Sequence, residues 1–209
     1  MHSYYMFHKP RGCITARRDA RHATVMDYFP EERRDELFPV GRLDKDTEGF
    51  LLVTDDGDLC FELMSPENEI PKTYFFWALG TLREEKIKEI ESGISIYKGR
   101  DFETAPAKIH ISHTATLADI KPLLSDEDAK MSRKRGEMQV TAAYITKTEG
   151  KKHQVKRMVR YAGCRVLYLK RVKIGGLTLD ENLPKGEYRA LSLSELDLIK
   201  SKKGAESKL

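Results

Sequence analysis

The stretch Val40–Val53, VGRLDKDTEGFLLV, interrupts an apolar run with nine mostly polar residues. Asp44, Asp46 and Glu48 stand in it between two glycines, with Arg42 and Lys45 beside them. A carboxylate held in a loop can serve as a nucleophile or a base, or can simply close a turn through hydrogen bonds to backbone amides. The two readings differ in what must surround the acid, and the charge of the remaining chain bears on that.

The 209 residues carry a formal net charge of +4, 40% apolar and 33% charged side chains. From Lys147 to Lys173 there are ten Lys or Arg against one acid, Glu149, and residues 1–22 hold five bases against Asp19. These two segments total +13, leaving −9 for the remainder. Charge segregated in this way suits a polyanionic partner better than a neutral polysaccharide, which argues against a glycosidase built on Asp44 with Asp46 or Glu48. Cys13, Cys60 and Cys164 are far apart and make no Cys-x-x-Cys pair, so they read as buried free thiols. His110 and His113 alternate with apolar residues on one strand and read as structural. Neither a P-loop nor a G-x-G-x-x-G pattern occurs, so nucleotide cofactors get no support, and the spacing of the cysteines makes a zinc site unexpected. No apolar run approaches a membrane span of roughly 20 residues, and the first residues, MHSYYMFHKPRG, have no signal-peptide core. The expected location is cytoplasmic.

The elements that must position these groups alternate between strand and helix without strict βαβα order, an α+β pattern. Tyr4–His8 reads as a strand entering a turn at Lys9-Pro10-Arg11-Gly12, and Thr24–Phe29 as a short helix. Glu36–Val40, Phe50–Thr54 and Pro71–Gly80 read as strands, and the stretch from Asp58 to Ser65 has helical spacing. Leu82–Ile94 is predicted helical, with Leu82, Ile87, Ile90 and Ile94 on one side. Short strands and turns are expected over 97–122, and a mobile loop over the polar Ser125–Glu137. A strand over Met138–Thr146 leads to a helix over Lys151–Ala162, ended by Gly163. In that helix Val155, Met158, Val159 and Ala162 form a core stripe, while Lys152, Lys156 and Arg160 follow one another at intervals of four along one face. Lys156 falls at the border of core and solvent, from which a cation can reach a partly buried carboxylate; Lys152, His153 and Arg160 face outward, toward phosphate. Snorkelling lysines on an ordinary amphipathic helix would show the same spacing. The residues from Ser201 read as a polar tail.

Three stretches taken together carry a resemblance: GRLDKDTEG, Lys72-Thr73-Tyr74, and GKKHQVKRM, with KPRG near the N-terminus. In type and order they are similar to the RsuA-like family of RNA pseudouridine synthases, and the similarity runs from about Tyr5 to about Leu193, including TAPA at 104–107 and GEYRALSLSEL at 186–196. The resemblance implies an α+β fold with a mixed, mostly antiparallel central sheet flanked by helices, in two ferredoxin-like halves with the active-site cleft between them. It implies one catalytic domain over residues 1–200 and a tail over 201–209. It implies an isomerase that turns a specific uridine of ribosomal RNA into pseudouridine through an Asp carboxylate and base flipping, and that needs no cofactor. The partner is then ribosomal RNA or an assembly intermediate, and the enzyme a monomer.

The resemblance further implies that Asp44 is the catalytic carboxylate, that Tyr74 stacks on the uracil or handles a proton, and that Lys156 is the basic partner of the carboxylate. The family's common pattern has Arg where Lys156 stands. Lys pairs as a point charge without the bidentate fork of Arg, and the neighbouring Arg157 lies about 100° further round a helix. Arg42 is implied to fill the gap left by the flipped base, and Lys9 and Arg11 to meet the RNA backbone, with Lys152, His153, Arg157 and Arg160 as further RNA contacts. Relatives often begin with an RNA-binding module of about 50–60 residues; this chain starts at what reads as the first catalytic strand, so that module is expected to be missing and the RNA to be gripped by the catalytic domain itself or by a structured ribosomal precursor. A protein that binds RNA without catalysis is the alternative, and Asp44→Asn separates the two.

Overall fold

The computed structural model describes residues 2–97 and 101–202. The strands, in chain order, are β1 (Tyr4–Lys9), β2 (Phe38–Pro39), β3 (Glu48–Thr54), β4 (Lys72–Leu79), β5 (Ser95–Tyr97), β6 (Asp101–Glu103), β7 (Lys108–Thr116), β8 (Gln139–Lys147), β9 (Arg165–Ile174), β10 (Leu177–Thr178) and β11 (Tyr188–Ala190). The α-helices are α1 (Gly57–Met64), α2 (Glu84–Ser92), α3 (Asp126–Arg135), α4 (Gln154–Tyr161) and α5 (Leu193–Lys200). The chain divides into two compact units, residues 1–72 with 170–209, and residues 73–169.

The first unit is built on the strand order β11-β1-β3-β9. β1 runs antiparallel to both neighbours, with Phe7 opposite Tyr188 on one side and Leu51 on the other. β3 runs parallel to β9, with Gly49 opposite Arg171. Alternation along β1 serves two cores. Met6 points with Phe50, Leu52, Leu59, Leu63 and Ile199 into one cluster. On the other face Phe7 and Tyr5 meet Phe29, whose ring stacks on Tyr188 at 4.3 Å between centroids. The helix expected around Thr24–Phe29 is one 3-10 turn, Val25–Tyr28, with a capping box from Thr24 and Asp27. Asp56 caps α1 by accepting a hydrogen bond from Leu59 N at 3.0 Å.

The second unit orders β4-β8-β7, with β9 on the far side of β4. β7 and β8 pair antiparallel over their full length with an irregularity between Ile111 and His113. Trp77, Leu117, Val140, Leu167 and Tyr168 make the core of one face. α2 is shorter than its apolar pattern; Leu82 and Ile94 are buried in the segments flanking it. β5 and β6 pair antiparallel as a separate two-stranded sheet. Of the segment expected to hold short strands, residues 98–100 lie outside the described residues, as does the tail from 203.

The stretch expected to be a mobile loop is instead helix α3. Ser125 accepts from Asp128 N at 3.2 Å as its N-cap, acids fill its first turn and bases its last, matching the helix dipole. Asp128 holds Arg165 at 2.7 Å, and the buried Ser132 donates to Leu117 O. α4 also departs from expectation. It begins at Gln154, because His153 takes a left-handed conformation at φ 53°. Lys152 and His153 therefore lie in the preceding turn, and the row of Lys152, Lys156 and Arg160 along one helix face does not exist.

Candidate active site

In the first unit the loop bearing Asp44 is fastened from below. Thr15 donates its hydroxyl to Leu43 O at 2.8 Å and accepts from Leu43 N at 3.1 Å. Gly12 N donates to Lys45 O at 2.8 Å, and Thr47 N to Asp44 O at 3.0 Å, which closes a tight turn over Asp44–Thr47. Lys9 completes the arrangement. Its ammonium donates to the carbonyls of Pro10, Asp44 and Thr47 at 3.0, 3.1 and 3.0 Å. The side chain is 0% exposed, and burial lowers its pKa, opposed by the nearby Cys13, Asp46, Asp44 and Glu48. This corrects the expectation that Lys9 meets RNA: no surface of it is left to do so. It joins the KPRG turn to the acidic loop, which answers why the two motifs occur together.

The end of the loop is set by Glu48 and Gly49. Glu48, 4% exposed, has Lys185 at 2.8 Å and Arg11 at 3.4 Å. Arg11 is half-buried in that pairing. Gly49 has φ 109°, and a Cβ there would sit 2.2 Å from the carbonyl oxygen of Arg171. Only glycine lets β3 approach β9 this closely. Arg171, itself buried, donates from Nε to Phe50 O at 2.7 Å. Above this base Asp44 is half-buried, and Arg42, Lys45 and Asp46 are exposed. The carboxylate is thus mounted on a rigid backbone, the requirement for a group that must meet a reacting atom at fixed geometry.

In the second unit Tyr74 stands on β4 at 7% exposure, with the buried Lys147 ammonium 5.3 Å from its ring centroid. One residue earlier the hydroxyls of Thr73 and Thr146 hydrogen-bond across the strands at 2.9 Å. The turn from β8 into α4 is organised by Glu149, the one acid of the basic segment. Its carboxylate accepts from Ala105 N at 2.8 Å and from the Gln154 amide, and pairs with Lys151 at 3.1 Å. Sequence reasoning counted Glu149 only as an exception, although a single acid among ten bases marked it as a structural counter-ion. α4 buries Val155, Met158, Val159 and the following Ala162, as the spacing predicts, and leaves Lys156 and Arg157 half-buried and Arg160 exposed. Arg157 lies over Phe102, its guanidinium carbon 4.4 Å from the ring centroid, a contact no motif indicated.

Among the described residues no cluster of three or more His, Cys, Asp or Glu could hold a metal ion, and no helix is long and apolar enough to cross a membrane. Two of the thiols, Cys13 and Cys164, are buried and Cys60 partly so, all free.

The family described as RNA pseudouridylate synthase matches residues 3–161. The chain belongs to that family. The synthase is 42% identical over 197 residues to the uncharacterized RNA pseudouridine synthase YtzG of Bacillus subtilis, across 94% of this chain and 72% of that one. It is 34% identical over 193 residues to the ribosomal small subunit pseudouridine synthase A of Pseudomonas aeruginosa, across 92% and 72% of the two chains. A crystal structure of a pseudouridylate synthase superposes with a TM-score of 0.76 at 32% identity, covering 95% of this chain and 74% of that one. The synthase is therefore an RsuA-like isomerase of uridine in RNA, and its fold is the α+β fold of these enzymes. Arg42, Asp44, Lys9 and Arg11 lie in the first unit; Tyr74, Lys152, His153, Lys156, Arg157 and Arg160 lie in the second.

Proposed function

We propose that this synthase modifies a specific uridine of ribosomal RNA, with Asp44, Tyr74 and Lys156 as its catalytic residues. The reaction breaks the bond between ribose C1′ and uracil N1 and makes one between C1′ and C5. The C5 hydrogen leaves as a proton and N1 gains one, so the step is balanced without an oxidant or a group donor. It needs an extruded nucleotide and a carboxylate held still beside the ribose. Asp44 supplies the carboxylate, as nucleophile at C1′ or as base toward a ribose proton. Tyr74 stacks on the released uracil or moves its proton, and Lys156 is the basic member of the set.

The observation that carries the proposal is the way Lys9 and Thr15 fasten the backbone on either side of Asp44. A turn-closing aspartate needs no such base. Relatives named for the small ribosomal subunit support ribosomal RNA as substrate; it is taken free or in an assembly intermediate. Arg11, Arg42, Lys152, His153, Arg157 and Arg160 contact the RNA; Lys9 is withdrawn from that set. Residues 1–200 form the catalytic domain as two α+β subdomains, and the protein works as a cytoplasmic monomer.

The test is pseudouridine mapping on unmodified small- and large-subunit RNA, as free RNA and as partly assembled particles, with wild type and Asp44→Asn side by side. A new pseudouridine made by wild type alone, with RNA affinity retained by Asp44→Asn, is the expected result. Affinity falling in parallel with activity would remove Asp44 from its catalytic role. Pseudouridine confined to transfer RNA would replace the substrate.

A further inference from the structure

The second unit contains a pocket of about 390 Å³ that shares Lys156 with the proposed catalytic set but is lined by neither Asp44 nor Tyr74. Phe102, Tyr161 and Val166 give it apolar and aromatic walls, and Arg157, Arg160 and Arg165 give it three guanidinium groups, with His153 and Lys156 adding to the cationic lining. Among the described residues no carboxylate lines it. Its polar groups are already oriented from outside. Tyr161 donates its hydroxyl to Glu89 and carries Lys86 over its ring at 4.6 Å. Arg165 is steadied by Asp128 at 2.7 Å, and Arg157 by the ring of Phe102 at 4.4 Å. Arg160 is exposed, with no carboxylate partner among the described residues.

We infer that this pocket takes one unstacked nucleotide of the substrate RNA, other than the uridine that is isomerised. Its volume lies within the roughly 300–1,000 Å³ of small-ligand sites, which admits one nucleotide and no helix. Bases freed from a duplex stack on aromatic rings and on arginine planes, and the Phe102–Arg157 pair offers both in one wall. Arg160 and Arg165 supply charge for the flanking phosphates. Asp128 already balances Arg165 from outside, so the charge that an entering phosphate meets first is that of the exposed Arg160. The inference rests on the proposal that the substrate is RNA with an extruded nucleotide, and it adds a second point at which single-stranded structure is read.

A single-stranded RNA ten-mer carrying one 2-aminopurine would be titrated with wild type, Phe102→Ala and Phe102→Leu, with melting curves for each. Phe102→Ala is expected to weaken binding about tenfold and to abolish the fluorescence change, with the salt slope unchanged because no charge is lost. Arg160→Gln is expected to lower that slope by about one. Unchanged affinity and fluorescence in a folded Phe102 variant would overturn the pocket. If neither variant folds, wild type is crosslinked to 5-iodouridine RNA; adducts on Phe102 or Tyr161 are expected, and adducts confined to other peptides would overturn the pocket. Uridine 5′-monophosphate competing as strongly as the ten-mer would assign the pocket to a free nucleotide and overturn the RNA reading. Pseudouridine formation is scored separately. Normal activity with no Phe102 effect removes only the pocket, whereas no activity on any RNA with a clear Phe102 effect removes only the proposed reaction.

Discussion

Replacing Lys9 by Met keeps the apolar stem and removes the three donors that fasten the Asp44 loop. The carbonyls of Asp44 and Pro10 each retain a weaker second donor, Thr47 N at 3.0 Å and the Cys13 thiol at 3.6 Å. A buried carbonyl that loses its only donor costs about 1–3 kcal/mol, and removing a desolvated ammonium returns part of that, so the net loss is about 2 kcal/mol. For a chain of this size the melting temperature then falls by roughly 4–8 °C. The kinetic effect is larger than the thermodynamic one. A freed loop lets the carboxylate wander by about 1 Å, which costs on the order of a hundredfold in kcat. KM for RNA stays within about threefold, since a side chain with no exposed surface makes no contact with the substrate. The assay is tritium release from RNA labelled at uridine C5, the hydrogen displaced when C5 takes the ribose. A variant with unchanged kcat, raised KM and a salt slope reduced by about one would show Lys9 on a phosphate, and would refute the buried-fastener argument.

Gly49→Ala places a Cβ 2.2 Å from the Arg171 carbonyl oxygen at φ 109°; melting should fall by about 10 °C or the protein should not fold, and a variant melting with wild type would contradict the close approach of β3 and β9. The Glu195 carboxyl is held down to about 2, first by hydrogen bonds from Arg189 and also by its capping role at Ser192. Being below its usual 4.5, this pKa contributes stability that is present above that value and lost as pH falls toward 2. Glu195→Gln should therefore cost about 1 kcal/mol at neutral pH after solvent screening, with the difference from wild type vanishing in urea titrations near pH 2. Ser125→Ala removes the cap of α3 and should cost about 1 kcal/mol, with amide protection over Asp126–Arg135 falling by several-fold in hydrogen exchange.

What the sequence disclosed follows from which signals are local. The strands β1, β3 and β4 showed themselves because both faces or alternate residues are apolar, and the acidic loop stood out between two apolar runs. The buried stripe of α4 was legible for the same reason. α3 was misread because a helix with almost no apolar face lacks the periodic signal, although its Ser-Asp-Glu-Asp start and basic end carried the capping and dipole pattern. The true start of α4 depends on Glu149 and on the left-handed His153, neither of which is a periodicity. Lys9 was misassigned because a lysine in a basic turn looks solvated; its three carbonyl partners come from residues 1, 35 and 38 positions away and leave no mark in the string. The aromatic side of the basic surface was missed for a similar reason, since Phe102 meets Arg157 only through the fold.

The first unit is discontinuous in the chain, and that has a consequence for synthesis. Its strand β1 must pair with β11, joining Phe7 to Tyr188. At roughly 5–20 residues per second, the chain between them takes on the order of 10–40 s to emerge from a ribosome. Residues 73–169, by contrast, are contiguous and can condense while the last strands are still being made. During that interval the apolar stretch Tyr4–Phe7 waits with one edge unpaired, which makes it the point at which a nascent chain is most exposed to aggregation or chaperone capture. The fasteners of the Asp44 loop between Lys9 and Thr47 are made early, but the contact of Lys185 with Glu48 forms only with the last strands, so a newly made synthase holds its basic helix before that end of the loop is set.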